Sequence, residues 1–383
     1  MIKHDFLFLF LCIAFIGCTN INKRNDNVSY IIPVDLEGQD PLTSVVEHIE
    51  IIPLQTDTNC LLRNPHFLTY NREIQKYLFE DKSIIYLYNM DGTLYSSSAK
   101  QLGEGPEQYI SFFDAAYNKY TASIDILTTE DYIYVYTPDF KFISKKKLPK
   151  TKPFRFANSF FPVGKDSYLI KPPTDGFNDF GFYLYDTSKE NWIDSVYTPD
   201  DIVFGPLMDR KLCTEMNGKL YVSPHPFNNC LYSIDLDKKC LNADIKFDFN
   251  NRDTDIDEVS HKFPVFKIKR FEIPAEEFGQ VNDEYYAALN EIMNSSAYIT
   301  SRQRLISSTH TFVLSQFDKT NSVASIYNRN TQKSYSNGSN QKYYIDYCSD
   351  LEDNILTSLV SIENLDKHID PLQTQSRLIC CLY

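Results

Sequence analysis

The segment QLGEGPEQY, residues 101–109, is the part of this sequence that most resembles a catalytic loop. Gly103, Gly105 and Pro106 lie close together in a chain whose 383 residues include only 12 glycines. A glycine-rich loop holds phosphate when it opens a helix and a Lys and a Ser or Thr follow, because N–H groups then face the anion. Here TLYSSSAK precedes the glycines and the apolar YISFFDAAY follows, so no helix start is indicated. We therefore predict a turn between strands, in which both glycines supply backbone angles that a Cβ resists and Pro106 stiffens the exit.

Two glutamates of this turn, Glu104 and Glu107, and a histidine, His225, are the remaining candidates for ligand binding. His225 lies in SPHPFNN, where the flanking prolines would hold it in a rigid loop. No partner for proton transfer is visible beside it, so a structural or exposed histidine is the alternative interpretation. None of the 7 histidines has a partner at metal-ligand spacing.

The acidic stretch NNRDTDIDE, residues 250–258, begins like a calcium-binding EF-hand loop. Counted from Asp253, the sixth residue is Glu258 instead of Gly, and the twelfth is Pro264 instead of Glu. Those changes remove the sharp turn and the bidentate ligand that calcium binding needs. The stretch therefore predicts a solvated loop, and we predict no metal or other cofactor.

Known catalytic motifs are absent from the sequence: no Walker loop, no G-x-S-x-G and no H-E-x-x-H occurs. Carboxylates are abundant, and two of them at the centre of the fold could cleave a glycosidic bond. Such a pair is defined by its separation, about 5 Å or about 6.5–9.5 Å, which spacing along the chain does not test. A polysaccharide hydrolase or lyase therefore stays the alternative to a non-enzymatic protein.

The N-terminus has the pattern of a secreted protein. Phe6 to Ile16 is an unbroken apolar run of 11 residues, too short to span a bilayer as a helix, which takes about 20. It ends at Gly17 and Cys18 and resembles a bacterial lipoprotein signal, in which the cysteine is diacylated and becomes the new N-terminus. We predict a signal peptide over residues 1–17, lipidation at Cys18 and a polar tether over residues 18–29. A plain secretory signal or an uncleaved anchor is the alternative.

Charge and cysteine content exclude some partners. The 38 basic and 51 acidic residues give a net charge of −13, which argues against nucleic acid because its phosphates need a basic surface. Seven cysteines remain after Cys12 and Cys18, and their spacing contains no zinc pattern.

From Tyr30 onward the chain contains a repeat. The runs IYLYNMDG, IYVYTPDF, FYLYDTSK and LYSIDLDK start at residues 85, 133, 182 and 231, which are 48, 49 and 49 residues apart. Each predicts a strand, a turn built on Asn, Asp or Pro, and a second strand. A fifth copy, ASIYNRNT, starts at residue 324, after a gap of 93 that includes a helical pattern at residues 273–294.

A period of about 40 to 50 residues with several strands per unit is typical of β-propeller blades. One sheet cannot cover both of its faces, whereas radial stacking covers them with neighbouring blades. We predict an all-β fold, a six-bladed β-propeller over residues 30–383 with one helical insertion. The N-terminal VVEHIEIIPLQT and the C-terminal YYIDYCSDLEDNILTSLV would form the sixth blade. A pair of β-sandwiches and a seven-bladed ring are the alternatives.

Three stretches make the chain resemble the six-bladed β-propeller lipoproteins of Gram-negative anaerobes, which are distantly similar to NHL-repeat propellers. They are the start that ends in Cys18, IIPLQTDTNCLL from residue 51, and IYLYNMDGTLYSSSAKQLGEGPEQY from residue 85. The resemblance covers nearly the whole mature chain. It implies the fold and no particular activity, because propellers have many unrelated functions.

The third stretch carries the most specific part of the resemblance. The family typically has Gly-x-Gly-Pro-Gly-Glu-Tyr there. Glu107 and Gln108 stand where the family has Gly and Glu. Four residues match the pattern: Gly103, Gly105, Pro106 and Tyr109.

The signal, the repeat and the lack of a catalytic motif together favour a non-enzymatic binding or scaffold propeller of the cell envelope. We predict attachment to the outer membrane through lipid, on the periplasmic side, because no acidic run follows Cys18. The expected partner is a glycan, a peptide or an envelope protein. An interaction subunit without a small ligand is a further alternative, and it would expose a broad apolar patch instead of a pocket.

Overall fold

The structure is a computed structural model. It describes these residues: 28–36, 40–45, 49–56, 60, 62–63, 65–149, 157, 159–171, 182–196, 213–222, 229–249, 259, 261–267, 274, 276–293, 300–316, 322–336, 350–352, 355–360 and 378–382.

The described strands form six sheets, which are the six blades of a propeller. Two strands come from the N-terminal part of the chain: β1 (Tyr30–Pro33) and β2 (Ile49–Pro53). Blade 1 follows with β3 (His66–Asn71), β4 (Lys76–Asp81), β5 (Ile84–Asn89) and β6 (Leu94–Ser97). Blade 2 has β7 (Phe112–Asn118), β8 (Ser123–Thr128), β9 (Tyr132–Tyr136) and β10 (Phe142–Lys147). Blade 3 has β11 (Ser159–Pro162), β12 (Ser167–Lys171), β13 (Phe182–Asp186) and β14 (Asn191–Val196).

The second half of the chain completes the ring. Blade 4 has β15 (Cys213–Met216), β16 (Lys219–Val222), β17 (Cys230–Asp235) and β18 (Cys240–Asp248). Blade 5 has β19 (Thr300–Ile306), β20 (His310–Gln316), β21 (Ser322–Asn328) and β22 (Lys333–Ser336). Blade 6 has β23 (Asp350–Glu352), β24 (Ile355–Val360) and β25 (Leu378–Leu382). The all-β propeller predicted from the period is therefore confirmed, and the repeated runs are the third strands of blades 1 to 5.

Alternating aromatic and branched residues form these strands because both faces of every blade are covered by a neighbour. Between blades 1 and 2, Leu87 of β5 packs in one buried cluster with Ile126 of β8 and Tyr136 of β9. Each such side chain stabilises the fold by roughly 1.5–3 kcal/mol when it is fully buried. The period of the sequence thus follows from the stacking of the blades.

Tight turns on one side of the ring begin with an Asn or Asp that caps its own turn. Asn118 Oδ1 accepts a hydrogen bond from the Tyr120 N–H at 3.0 Å, and Asp186 Oδ1 accepts one from the Ser188 N–H at 2.9 Å. These Asx turns explain how a chain with 12 glycines forms so many tight connections. Asn328 makes the same contact with the Asn330 N–H, whereas Asn71 and Asp235 accept from the N–H three residues further on.

Blade 6 contains strands from both parts of the chain. Its strand order is β2-β25-β24-β23, so the N-terminal β2 supplies the outer strand. Beside it, Gly92 of blade 1 approaches so closely that a Cβ would lie 2.1 Å from the Pro53 carbonyl oxygen. Its φ of 81° also favours glycine. Only a glycine fits this contact between the outer strand of blade 6 and blade 1.

An α-helix, α1 (Phe278–Met293), lies in the connection between β18 and β19, within the stretch whose pattern predicted it. Its buried side chains Tyr285, Ala288 and Ile292 pack against Val259 and Val265. Three 3-10 helices complete the described structure: Leu42–Ser44, Ser98–Gln101 and Pro264–Lys267. No helix among the described residues is long and apolar enough to cross a membrane.

Candidate functional site at the axis of the ring

The two faces of the propeller differ in the length of their connections. Turns that join first to second and third to fourth strands contain 2 to 5 residues each, and they define the short-turn face. The connections from each fourth strand to the next blade contain 11 to 51 residues and leave from the opposite side, the long-connection face. First strands lie at the centre, since β7 contacts β11, β15 contacts β19, and β23 contacts both β19 and β3.

A buried carboxylate joins the first strands of blades 2 and 3. Asp114 Oδ2 accepts hydrogen bonds from Ser159 Oγ at 2.6 Å and from the Phe160 N–H at 3.1 Å. Asp114 is only 8% exposed. A buried charge is tolerated when it accepts several such bonds. Asp114 therefore holds the two inner strands together near the long-connection face.

A lysine and a cysteine are buried beside this contact. Lys171 lies directly opposite Ser159 in the pairing of β12 with β11, and it is 2% exposed. Burial lowers the pKa of the Lys171 ammonium group to about 7. Burial raises the pKa of the Cys213 thiol to about 12, and the charges of Lys171 and Asp114 both reach that thiol. This cluster of Asp114, Lys171 and Cys213 at the inner ends of blades 2 to 4 is the axis cluster.

A second buried carboxylate, Asp125, lies within the interface between blades 2 and 3. Its oxygens accept hydrogen bonds from Ser123 Oγ at 2.7 Å, Tyr168 OH at 2.7 Å and Asn118 Nδ2 at 2.8 Å. Burial raises the pKa of the Asp125 carboxyl, while these three donors act in the opposite direction. All four side chains are buried, so we assign this network to the fold.

At the short-turn face an ion pair joins two blades that are not neighbours. Lys119 Nζ lies 2.5 Å from Glu215 Oε2, although Lys119 follows β7 of blade 2 and Glu215 belongs to β15 of blade 4. Blade 3 lies between those blades, so the pair reaches past its inner strand. The Lys119 ammonium group also lies 5.3 Å from the centroid of the Tyr120 ring. Burial lowers the pKa of the Lys119 ammonium group, but the hydrogen bond and charge of Glu215, followed by smaller contributions from Tyr120 and from Glu73 of blade 1, raise it, and the pKa is raised overall.

The segment QLGEGPEQY connects β6 of blade 1 to β7 of blade 2 on the long-connection face. Leu102 and Tyr109 pair in a parallel bridge, and the Gly103 N–H donates to the Tyr109 carbonyl oxygen at 2.9 Å. Tyr109 is buried, whereas Glu104, Pro106 and Glu107 are exposed. The two glutamates therefore lie on the surface of this face, outside the buried axis cluster.

Gln108 has a role in this connection that the sequence did not reveal. The Gly105 N–H donates to Gln108 Oε1 at 2.9 Å, and Gln108 Nε2 donates to the Lys100 carbonyl oxygen at 3.0 Å. A Cβ added at Gly105 would lie 2.7 Å from Gln108 Oε1, and one at Gly103 would lie 2.5 Å away. The φ of Gly105 is not positive, so the glycine leaves space for the Gln108 side chain in this position and does not supply the backbone angle that we predicted.

Two of the predicted site residues, Cys18 and His225, lie outside the described residues, as does the acidic stretch 250–258. Among the residues that the structure does describe, no group of three or more His, Cys, Asp and Glu could hold a metal ion.

The sheets and their axis define a six-bladed β-propeller, and the family comparison agrees. A model of the DUF5128 family, described as "6-bladed beta-propeller", matches residues 20–348. The chain belongs to this family. The resemblance found in the sequence is confirmed for the fold, while the lipid anchor and the likeness to NHL-repeat propellers stay predictions. A comparison with curated proteins finds no match.

A comparison with solved structures finds one of the same fold and others with weaker similarity. A Bacteroides fragilis protein, described as exported, is 17% identical, with a TM-score of 0.70 over 92% of this chain and 98% of its own. The extracellular domain of a two-component system from B. thetaiotaomicron is 11% identical, with a TM-score of 0.40 over 80% of this chain and 34% of its own. The Pan2 WD40 domain of Neurospora crassa is 8% identical, with a TM-score of 0.35 over 76% of this chain and 71% of its own. Only the first likeness is close enough to support the shared fold.

Proposed function

We propose that the protein is a lipid-anchored binding module of the cell envelope whose long-connection face recognises a glycan, a peptide or a partner protein. The asymmetry of the two faces carries this proposal. The short-turn face has connections of 2 to 5 residues and the Lys119–Glu215 ion pair between blades 2 and 4, whereas connections of 11 to 51 residues leave from the other face. Binding residues are concentrated in long loops that a rigid frame positions.

The N-terminus supports a location in the cell envelope. The apolar run that ends at Gly17 and Cys18 has the length of a secretory signal and the residue to be lipidated. The description of the Bacteroides fragilis neighbour as an exported protein supports the same location. Two or three acyl chains would anchor the protein stably, since each buried methylene contributes about 0.8 kcal/mol.

Binding is tested with the chain from residue 18 onward, produced without lipid and applied to glycan and peptide arrays. We expect a ligand whose binding falls when Glu104 and Glu107 are both changed to Lys. A matched variant, Asp91→Lys together with Glu190→Lys, reverses two exposed charges on the short-turn face and should bind like the unmodified chain. Sustained cleavage of a polysaccharide by the same protein would replace this proposal with the hydrolase or lyase.

Lipid attachment is tested separately in cells. Cys18→Ala removes the acylated thiol, so the variant should move from the membrane fraction to the soluble envelope fraction. Cys12→Ala changes the cysteine inside the apolar run of the signal and should leave the protein in the membrane fraction. Membrane retention of Cys18→Ala would mean that the N-terminus acts as an uncleaved anchor.

A further inference from the structure

We infer that the anchored propeller turns its short-turn face toward the membrane and presents its long-connection face to the surrounding compartment. This inference rests on the proposed lipid anchor at Cys18. The membrane surface would then lie beside the short-turn face, and the long-connection face would be accessible to the ligand. Three observations carry it: the direction of β1, the position of Val28, and the charge of the two faces.

The direction of β1 sets where the N-terminal chain arrives. β1 pairs in parallel with β18, the outer strand of blade 4. β18 follows a four-residue turn at the short-turn face, residues 236–239, and leads to the long-connection face. A parallel strand runs the same way, so the chain preceding Tyr30 comes from the short-turn side.

Val28 shows that this direction continues beyond the strand. Its half-buried side chain packs against the buried cluster of blades 3 and 4. Two other residues that pack against this cluster, Val163 and Leu236, belong to tight turns of the short-turn face. Continuing the register of β1 with β18 places Val28 near Ala243, in the middle of β18, with the preceding chain directed toward the short turns.

The length of the tether bears on which face of the propeller can approach the membrane. Nine residues, and so ten Cα-to-Cα steps, separate Cys18 from Val28, and a fully extended chain of that length spans at most about 33–36 Å. Val28 is two residues before Tyr30, which pairs with Ile245, so about three residues of β18, roughly 10 Å, separate it from the short turns. Bringing the opposite face to the membrane requires the tether to reverse direction and run back along about five residues of β18, roughly 17 Å, which is about half of the available length. The path to the short-turn face needs no reversal and is shorter.

Charge favours the same orientation. By position in the sequence, the eleven short turns contain 8 basic and 7 acidic residues. The connections of the opposite face contain 17 basic and 25 acidic residues. An anionic lipid surface repels the acidic face within a Debye length and has little effect on the balanced one.

Energy transfer from labelled protein to labelled lipid tests the orientation. The full-length lipidated protein is purified from membranes and reconstituted in phosphatidylglycerol-containing vesicles with an acceptor lipid. A fluorescent amino acid replaces either Thr121 or Glu130, two exposed residues at opposite ends of β8. Thr121 lies on the short-turn face, and the six-residue strand between them is about 20 Å long, so we expect roughly twofold or greater transfer from position 121.

The outcomes separate the two proposals. If neither labelled protein associates with vesicles, the proposed lipid anchor is wrong, and the proposed orientation, which depends on it, is wrong as well. If they associate but position 130 transfers as well as or better than position 121, the anchor stands and the orientation is wrong. Insertion of a long Gly-Ser segment after Asn27 should bring the two efficiencies together, because the tether then no longer restricts the propeller.

Discussion

Burial changes the ionisation of individual residues in the middle of this ring. Lys171 and Asp125 both sit among packed strands, and burial disfavours the charged form of each. For Asp125 the protein supplies three hydrogen-bond donors, which take the place of water around its carboxylate. For Lys171 burial lowers the pKa to about 7.

Lys171→Met should alter how stability depends on pH. The folded-state pKa is lowered from 10.5 to about 7, so the stability associated with the neutral amine is full at high pH, falls as pH decreases below 10.5, and is lost by about pH 7. Between pH 7 and 8.5 the free energy of unfolding of the wild type should therefore rise relative to the variant, by at most roughly 1.4 kcal/mol per pH unit. Urea unfolding at three pH values measures the difference. The range stays below the ordinary pKa of the Cys213 thiol.

Lys165→Met is the matched control for this change. Lys165 belongs to the same blade but is exposed in a tight turn. Its variant should follow the pH dependence of the wild type. If the Lys171→Met and wild-type curves are also parallel, the ammonium group is solvated in the folded protein and the axis cluster does not hold a neutral amine.

Connections between blades are ordered by buried hydrogen bonds as much as by apolar packing. In the connection after β6, Ser98 Oγ accepts from the Ile85 N–H at 2.8 Å and lies 2.5 Å from Tyr109 OH. Tyr109 OH in turn donates to the Ser83 carbonyl oxygen at 3.0 Å. This network links the connection to the turn between β4 and β5. The backbone that carries the exposed Glu104 and Glu107 is therefore held in place.

Ser98→Ala should lower the free energy of unfolding by about 1–3 kcal/mol, because the buried Ile85 N–H would lose its acceptor. Ser111→Ala is the matched control, since its hydroxyl pairs with Thr129 Oγ1 in an exposed contact. That control should change stability by less than about 0.5 kcal/mol. Equal effects of the two variants in urea unfolding would show that the Ser98 network is not needed to order the connection.

The sequence predicted elements well where the pattern is local. The third strands repeat an alternation of aromatic and branched residues, and each forms the strand that this pattern favours. In blades 3, 4 and 5 the strand ends in Asp186, Asp235 or Asn328, whose side chain accepts a hydrogen bond from the following turn. The sequence did not predict β1, because YIIP has only four residues and ends in a proline. That strand exists because blade 4 offers an outer edge for it to pair with.

The candidate site could not be predicted because its residues meet only through the ring. Lys119 and Glu215 are 96 residues apart, and Ser159 is 45 residues from Asp114. No spacing rule connects such pairs, since the contact depends on which blades are neighbours. Gln108 is different: it is close to its partners, but an Asn or Gln in a turn has too many possible acceptors for its role to be inferred.

At the scale of the whole molecule, the N-terminal segment runs along the rims of three blades. β1 pairs with blade 4, the Asp35 N–H donates to Ser334 Oγ of blade 5 at 3.2 Å, and β2 supplies the outer strand of blade 6. Pro41 forms a parallel bridge with Ser336 between these points. The segment thus covers outer edges that would otherwise be unpaired, and it couples half of the ring to the proposed anchor.

Ile32→Ala tests whether this segment belongs to one cooperative unit with the ring. Ile32 is 1% exposed and packs with Phe247 and Val313 between blades 4 and 5, so its truncation should cost roughly 2–4 kcal/mol. The chain has one tryptophan, Trp192 in blade 3, which lies 5.2 Å from the Tyr185 ring and reports on that blade. If the ring unfolds cooperatively, urea unfolding followed by Trp192 fluorescence should show the whole decrease in the free energy of unfolding. Ile31→Ala, on the same strand but 59% exposed, should change that free energy little. If Trp192 unfolds as in the wild type while residues 28–36 become sensitive to protease, the segment detaches independently, and the anchor is coupled to the rim alone.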